Sequence, residues 1–246
     1  AFRREYVTEA GRIVNESATA YALAIEFDIL DPAQRTRAGD RLAQLVSSAG
    51  YRISTGFAGT PWVTDALTHT GHLAEAYLLL LETHCPSFLY PVTMGATTIW
   101  ERWDAIRPDG TLHPSDMTSL NHYALGAVAD WLHRVVGGLT AVEPGYRRMR
   151  IAPRPGGGLT HAHLTHDTVH GRVDVRWRLE DGEMRVDVTI PEHTTATVEL
   201  PMHPEARQEE IRGGSHTWTY RPASFPAGPV HTLGTSLGTL AADAGI

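Results

Sequence analysis

The sequence predicts a multidomain α-then-β protein, in which part of an (α/α)6 toroid is followed by an antiparallel β-sandwich. The first observation is a hydrophobic repeat of three to four residues, which runs from about residue 15 to residue 139. The second is a change to strict alternation after Gly138, as in residues 173–177. The third is a pair of aromatic and glycine-rich connections, at 51–62 and 90–114. Loops of this kind between helices are typical of a toroid whose pocket lies at one rim.

Five helices are expected in the first part. They are predicted after a cap at Asn15 or Ser17, from Pro32 to Gly50, from about Thr64, over 72–82, and from Thr118 to Val136. Five helices cannot close a ring of six pairs, so an apolar inner wall would be exposed unless more polypeptide covers it. The sequence therefore predicts that the natural polypeptide extends N-terminally.

The second part is expected to consist of short strands. Alternation continues over 184–190 after a hairpin signal at 180–183, and further strands are predicted over 195–200 and 210–220. Several short strands at regular spacing indicate a β-sandwich. The predicted domains are therefore a helical domain at 1–140, a β-sandwich at 141–222 and an irregular tail at 223–246.

Composition excludes several classes of partner. The formal net charge of −7 disfavours a polyanion, so we expect no nucleic acid partner. The longest apolar run, residues 76–81, is too short to cross a bilayer, so we expect no membrane partner. Cys85 is the single cysteine, which excludes an intramolecular disulfide.

The densest functional signal is the run from Gly95 to Asp104. It places one acid, Glu101, between Trp100 and Trp103. Indole faces stack on the apolar face of a sugar ring, and burial tunes the basicity of a carboxylate, so the pattern favours a glycosidase site. Core packing of the two indoles is the alternative, since large aromatic side chains commonly fill a core.

Other candidate residues lie in the neighbouring loops. Asn121 and His122 stand at the start of a predicted helix, where they are able to hydrogen-bond sugar hydroxyls, although a capping or core histidine is the alternative for His122. Phe57 lies in the glycine-rich loop 56–62 and adds an aromatic ring. Asp104 is a minor candidate for orienting Glu101.

Several of these motifs resemble the bacterial α-L-rhamnosidases of glycoside hydrolase family 78. The resemblance is carried by residues 54–61, by 95–104 with its continuation to Gly110, and by 121–126. The junction formed by 143–148 and 151–158 is similar to the point where the family's six-hairpin toroid passes into its C-terminal β-sandwich. The match covers most of residues 10–200 in the family's order.

The resemblance implies an inverting exo-hydrolase that removes terminal α-linked L-rhamnose. Glu101 is similar to the family's general base, and His122 matches a sugar-binding histidine. The family's general acid lies upstream of the matched region, so the chain by itself is expected to be inactive. The implied partners are a rhamnose-containing glycoside and the missing N-terminal part of the same polypeptide. No metal and no cofactor is expected.

Two rival functions stay open at this point. The first is a non-catalytic carbohydrate-binding or interaction module, in which Trp100 and Trp103 bind sugar without turnover. The second is a metal site in the histidine-rich stretch 161–170. The second is disfavoured because its histidines would lie on both faces of a strand and neither acids nor cysteines complete it.

Overall fold

The computed structural model describes residues 2–223, and these divide into two compact units on either side of the Ala129–Asp130 bond. The first unit is helical and the second is built around a sheet, so the predicted order of an all-α part followed by an all-β part is confirmed. The limits predicted for the domains, 1–140 and 141–222, stay predictions. The predicted tail, apart from Ala223, lies outside the described residues.

The helices carry the first unit. In chain order they are α1 (Phe2–Tyr6), α2 (Ala18–Glu26), α3 (Pro32–Ser48), α4 (Thr60–His69), α5 (Leu73–Leu81), α6 (Leu89–Thr93), α7 (Tyr123–Gly126) and α8 (Val128–Trp131). A π-helical turn, Leu132–Val136, follows α8 directly. The first four predicted helices correspond to α2 to α5.

Local sequence explains where α3 begins and which elements α2 contacts. Asp31 caps α3 by accepting a hydrogen bond from the Gln34 backbone N–H at 2.8 Å, and the Gln34 side chain accepts one from the Asp31 backbone in return. Almost every side chain of α2 is wholly or partly buried because α2 packs against both α3 and α4. Large, fully buried side chains form the core of this unit, among them Tyr21, Ile25, Leu42, Leu67 and Leu79.

The fifth predicted helix, 118–136, differs from the structure. Residues 118–122 are not helical, and the helical part is divided into α7, α8 and the π-helical turn. The physical reason is pairing of this segment with the preceding loop. The Ser119 carbonyl accepts a hydrogen bond from the Glu101 backbone N–H, and the His122 backbone N–H donates to the Ile99 carbonyl.

Six strands form the second unit. They are β1 (Leu139–Ala141), β2 (Arg148–Ile151), β3 (His161–Thr168), β4 (Gly171–Glu180), β5 (Glu183–Glu199) and β6 (Gln208–Tyr220). Their order in the sheet is β1-β2-β5-β4-β3, with β6 also paired to β5. The two strands predicted over 184–190 and 195–200 are one long strand, β5, with an irregularity between Ile190 and Thr195. That irregularity separates the half of β5 that pairs with β4 from the half that pairs with β2.

The sheet is mixed and not purely antiparallel as predicted. The pair formed by β2 and β5 is parallel, whereas the other pairs are antiparallel. Parallel neighbours need a long crossover, and here the hairpin of β3 and β4 lies between β2 and β5 in sequence. The alternation read from the sequence is confirmed, since Val173, Val175 and Trp177 are buried.

None of the helices within residues 2–223 combines the length and the apolar character that crossing a membrane requires.

Candidate active site

An open cleft in the first unit collects most of the predicted site residues. Its volume is about 500 Å³. Its walls come from three loop segments and two further residues: Thr55, Gly56 and Phe57; Cys85 and Pro86; Glu101, Arg102, Trp103 and Asp104; and Met117 and Leu125. The structure therefore brings Glu101, Trp103, Phe57 and Asp104 to one place from loops that are far apart in sequence.

Glu101 is half-buried and is held mainly by the backbone of Ser119. Its backbone N–H donates to the Ser119 carbonyl at 2.9 Å, and the Ser119 N–H donates to Glu101 Oε2 at 3.2 Å. Within residues 2–223, no protein group donates a hydrogen bond to the other carboxylate oxygen, Oε1. One oxygen is thus fixed in place and the other is left for a water molecule or a ligand.

Arg102 and Asp104 form an ion pair beside Glu101. Arg102 Nε donates to Asp104 Oδ1 at 2.5 Å, and a terminal guanidinium nitrogen donates to Oδ2 at 3.4 Å. The His113 ring lies 3.8 Å from Asp104 Oδ2. Asp104 is therefore bound to Arg102, and it makes no direct hydrogen bond to Glu101 within the described chain.

The two tryptophans have different surroundings. Trp103 lines the cleft and its ring meets that of Phe88 edge-on, with centroids 5.5 Å apart. Trp100 is only 2% exposed and packs with Tyr90 and Ala105 in an apolar cluster. This burial favours the core-packing alternative for Trp100, and its contact with substrate stays a prediction.

His122 contacts the cleft through Phe57. The two rings are stacked, with centroids 4.3 Å apart and planes at 22°. The His122 Nδ1 atom is buried and has no hydrogen-bond partner in the described part of the chain. A buried polar atom without a partner is costly, which makes this nitrogen a suitable contact for a polar ligand group. Asn121 is exposed and does not line the cleft.

Several residues of the site were not predicted from the sequence. Ser119 contributes its backbone, Met117 and Leu125 contribute apolar side chains, and Cys85 contributes a thiol. None of these contributions belongs to a motif with a chemical signature. Burial, together with the negative charge of Asp104, raises the pKa of the Cys85 thiol. Cys85 therefore lines the cleft as a protonated group and not as a thiolate nucleophile.

The histidine-rich stretch has ordinary structural contacts. His163 pairs with Asp174 at 2.9 Å, and His166 packs against the rings of His133 and Tyr146. Within residues 2–223, no three His, Cys, Asp or Glu side chains are grouped so that they could hold a metal ion.

Two family models together match nearly all of the described chain. The model of the bacterial alpha-L-rhamnosidase 6 hairpin glycosidase domain matches residues 1–136. The model of the bacterial alpha-L-rhamnosidase C-terminal domain matches residues 138–215.

Curated relatives carry the same description. An alpha-L-rhamnosidase of Streptomyces avermitilis is 38% identical over 235 residues, which cover 89% of this chain and 23% of the relative. An alpha-L-rhamnosidase of Formosa agariphila is 37% identical over 188 residues, which cover 76% of this chain and 20% of the relative. The chain thus spans less than a quarter of the length of these relatives.

Solved structures agree with the fold. The native rhamnosidase from Aspergillus terreus matches with a TM-score of 0.85 and 38% identity, over 89% of this chain and 26% of that one. The Streptomyces avermitilis alpha-L-rhamnosidase complexed with L-rhamnose matches with a TM-score of 0.83 and 35% identity, over 89% of this chain and 23% of that one. These matches confirm the predicted fold class, which is part of a six-hairpin toroid followed by a β-sandwich domain.

Proposed function

The chain belongs to the bacterial α-L-rhamnosidase family, and we propose that the full-length protein of which it forms a part (the parent protein) removes terminal α-L-rhamnose from glycosides. The observation that carries this proposal is the position of Glu101. Its carboxylate lies in the cleft of the unit that matches the six-hairpin domain, with one oxygen held and one free.

In this proposal Glu101 is the general base of an inverting hydrolysis. The Ser119 N–H holds Oε2, and Oε1 accepts a proton from a water molecule as that water attacks the anomeric carbon. The bond from the anomeric carbon to the glycosidic oxygen breaks, and the departing oxygen receives a proton from a general acid. The two carboxyl groups of an inverting enzyme stand roughly 6.5–9.5 Å apart, which leaves room for the water.

Aromatic and polar groups around the cleft would hold the sugar. Trp103 and Phe57 offer ring surfaces for the apolar face of a pyranose. His122, whose Nδ1 atom has no partner in the described chain, and the exposed Asn121 are proposed to hydrogen-bond the hydroxyl groups.

We propose that the general acid comes from a part of the parent protein outside this chain. The other carboxylate of the cleft, Asp104, uses both oxygens to accept hydrogen bonds from Arg102, so neither oxygen is placed to donate a proton. The chain also spans only 20–26% of the relatives' length. The isolated chain is therefore expected to be inactive as a hydrolase.

Exposed aromatic side chains on the helical unit are proposed to pack against that remaining part. Phe27, at the end of α2, is 58% exposed and meets Trp62, which is 37% exposed, with centroids 5.4 Å apart. Tyr123 on α7 is 88% exposed. Exposed large apolar groups of this kind commonly mark an interface. The matching domain has six hairpins, so further helices of the parent protein are the occupants we propose.

The experiment is hydrolysis of aryl glycosides by the purified parent protein, followed by NMR of the first sugar product. We expect turnover of the aryl α-L-rhamnoside, little turnover of aryl β-D-glucoside, and initial release of the β-anomer of L-rhamnose. Failure to turn over any α-L-rhamnoside would contradict the proposed activity. Initial release of the α-anomer would contradict the inverting mechanism alone.

Carbohydrate binding without hydrolysis is the second candidate for the isolated chain. It is favoured by the combination of accessible rings in the cleft with only one carboxylate that is free to act. Calorimetric titration of the chain with L-rhamnose distinguishes the cases. Saturable binding without turnover of the aryl rhamnoside supports this candidate, and absence of binding removes it.

A further inference from the structure

We propose that Asp104 is a positioning residue that keeps the guanidinium of Arg102 away from Glu101. This inference rests on the proposed role of Glu101 as a general base. The ion pair of Arg102 with Asp104 then serves the chemistry of the cleft and is more than a surface contact.

Two carboxylates within one bend of the chain compete for the same guanidinium. Glu101 and Asp104 are two carboxylates that flank Arg102 in the sequence, and all three residues line the cleft. A guanidinium presents two parallel N–H groups that match a carboxylate. In the structure Asp104 receives both, at 2.5 Å and 3.4 Å, whereas Glu101 receives the neutral backbone N–H of Ser119.

The alternative pairing, of Arg102 with Glu101, would place a permanent positive charge beside the general base. Arginine stays charged at any accessible pH. A positive charge within about 4–6 Å of a carboxylate lowers its pKa by roughly 1–3 units. A general base with a lowered pKa accepts a proton less readily from the attacking water in the transition state. Pairing of Arg102 with Glu101 would therefore slow the reaction, and pairing with Asp104 prevents this.

A second group, the His113 ring, lies beside Asp104. The His113 ring lies 3.8 Å from Asp104 on Oδ2, and the His113 backbone N–H donates to the Ala105 carbonyl at 2.8 Å. Titratable or charged groups nearby include Cys85, which interacts with Asp104, Arg102 and Arg52, and Tyr90, which interacts with Asp104. Arg102 follows Glu101 directly in the chain and lines the same cleft, so its guanidinium is the one that Asp104 must hold.

The Arg102–Asp104 ion pair is partly open to solvent, with both side chains a little over one third exposed. Ion pairs with that exposure contribute little to the free energy of unfolding. Removal of Asp104 is therefore expected to leave the fold intact and to change the chemistry of the cleft.

The test uses the parent protein and the aryl α-L-rhamnoside, with kcat/KM measured as a function of pH. Asp104→Asn is expected to lower kcat/KM about tenfold near neutral pH and to move the acidic limb of the profile down by about 1–3 pH units. The double variant Arg102→Gln with Asp104→Asn is expected to return the acidic limb to its original position and to recover most of the lost activity. Asp104→Glu, which keeps the carboxylate, is expected to keep the acidic limb in place.

A matched control exists in the second unit. Asp167 and Arg172 form the same kind of two-bond ion pair, at 2.8 Å and 3.2 Å, on the exposed side of β3 and β4. Asp167→Asn breaks that pair and is expected to leave the pH profile unchanged.

An unmoved acidic limb in Asp104→Asn overturns the inference. So does a double variant that is no better than Asp104→Asn, because a merely structural role of Asp104 is not rescued by removing Arg102. Inactivity of the unmodified parent protein toward rhamnosides, or full activity of Glu101→Gln, refutes the proposed function instead, and the inference falls with it.

Discussion

At the scale of single residues, the carboxylate of Glu101 is positioned by a backbone group. The Ser119 N–H holds Oε2, and the Ser119 carbonyl holds the Glu101 backbone N–H. These two contacts join the loop that carries Glu101 to the segment that leads into α7. Substitution of Ser119 should therefore affect activity through the backbone and not through the hydroxyl group.

Ser119→Pro in the parent protein tests this arrangement. Proline has no backbone N–H, so Glu101 loses its hydrogen bond and its fixed orientation, and kcat on the aryl rhamnoside is expected to fall about tenfold or more. Ser119→Ala keeps the N–H and is expected to stay within about twofold of the unmodified protein. Equal kinetics of the two variants, with circular dichroism spectra that show both to be folded, would argue against the arrangement.

Phe57 supports the His122 ring by stacking. Phe57→Ala removes this contact and one ring surface of the cleft, and stacked aromatic pairs are worth about 0.5–1.5 kcal/mol. We expect KM of the parent protein to rise about three- to tenfold with little change in kcat. Phe57→Tyr keeps the ring and should keep KM. A fall in kcat at constant KM in Phe57→Ala would show that the ring serves the chemical step.

The sequence predicted part of this site and missed part of it. Glu101, Trp103 and Phe57 are predicted because a carboxylate framed by indoles and an aromatic ring in a glycine-rich loop have recognisable uses with sugars. The sequence pattern groups Trp100 with Trp103 because both indoles flank Glu101, whereas in the structure Trp100 is buried in an apolar cluster. Ser119 was missed because a backbone N–H carries no signature in a sequence.

At the scale of elements, Trp177 on β4 ties the sheet to the π-helical turn. Its indole is fully buried and its Nε1–H donates to the Val136 carbonyl at 2.8 Å. Gly138 follows closely, and a Cβ added there would lie 2.3 Å from the Pro153 nitrogen. The transition from the π-helical turn to β1 therefore requires the indole donor of Trp177 and the absence of a side chain at Gly138.

Trp177→Phe is expected to lower the free energy of unfolding by about 2 kcal/mol, because it leaves the buried Val136 carbonyl without its donor. Urea unfolding followed by circular dichroism measures this. Trp218→Phe is the control, since the Trp218 indole is only partly buried and donates to Glu209 near solvent, so its loss should cost less than 1 kcal/mol. Equal costs for the two variants would contradict the role given to Trp177.

Periodicity predicted most elements well and failed where distant segments pair. The helices α2 to α5 and the hairpin of β4 and β5 have strong local patterns, and the structure has them. The segment 118–122 has a helical pattern but is not helical, because its backbone pairs with the loop at 99–101. Parallel pairing of β2 with β5 joins residues about 47 positions apart, and no local pattern encodes that.

At the scale of the whole molecule, carboxylates of the second unit link stability to pH. The hydrogen bond from Arg185 holds the pKa of Asp187 below its ordinary value, and the guanidinium of Arg150 does the same for Glu199. A carboxylate with a lowered pKa in the folded state stabilises the protein above its unfolded pKa. That contribution is lost as the pH falls through the folded pKa.

We therefore expect the thermal unfolding midpoint of the second unit to be nearly constant from pH 7 to about pH 5 and to fall progressively below about pH 4.5. Arg150→Gln removes the partner of Glu199, so part of this acid dependence should disappear. Calorimetry between pH 3 and pH 7 measures both. A midpoint that does not change between pH 6 and pH 3, or an Arg150→Gln variant with the same dependence as the unmodified chain, would contradict this account.

For the whole molecule, the sequence predicts an incomplete ring of helices that is followed, later in the chain, by a β-sandwich. The helical repeat and its change to strict alternation predicted the order of the parts. The loops between the helices, together with the family resemblance, predicted the ring. The six-hairpin match over residues 1–136 agrees with this reading. Residues outside the chain have no trace in its sequence, so the general acid could only be inferred from what the cleft contains.

The most direct measurement compares the hydrolysis of an aryl α-L-rhamnoside by the parent protein, by its Glu101→Gln variant and by the isolated chain. The exposed Glu183→Gln variant serves as the control. We predict an active parent protein, a Glu101→Gln variant slower by at least about 100-fold, an unaffected Glu183→Gln variant and a silent chain. Glu101-dependent turnover by the isolated chain would mean that an acid exists within these residues, and full activity of Glu101→Gln would mean that Glu101 is not the base.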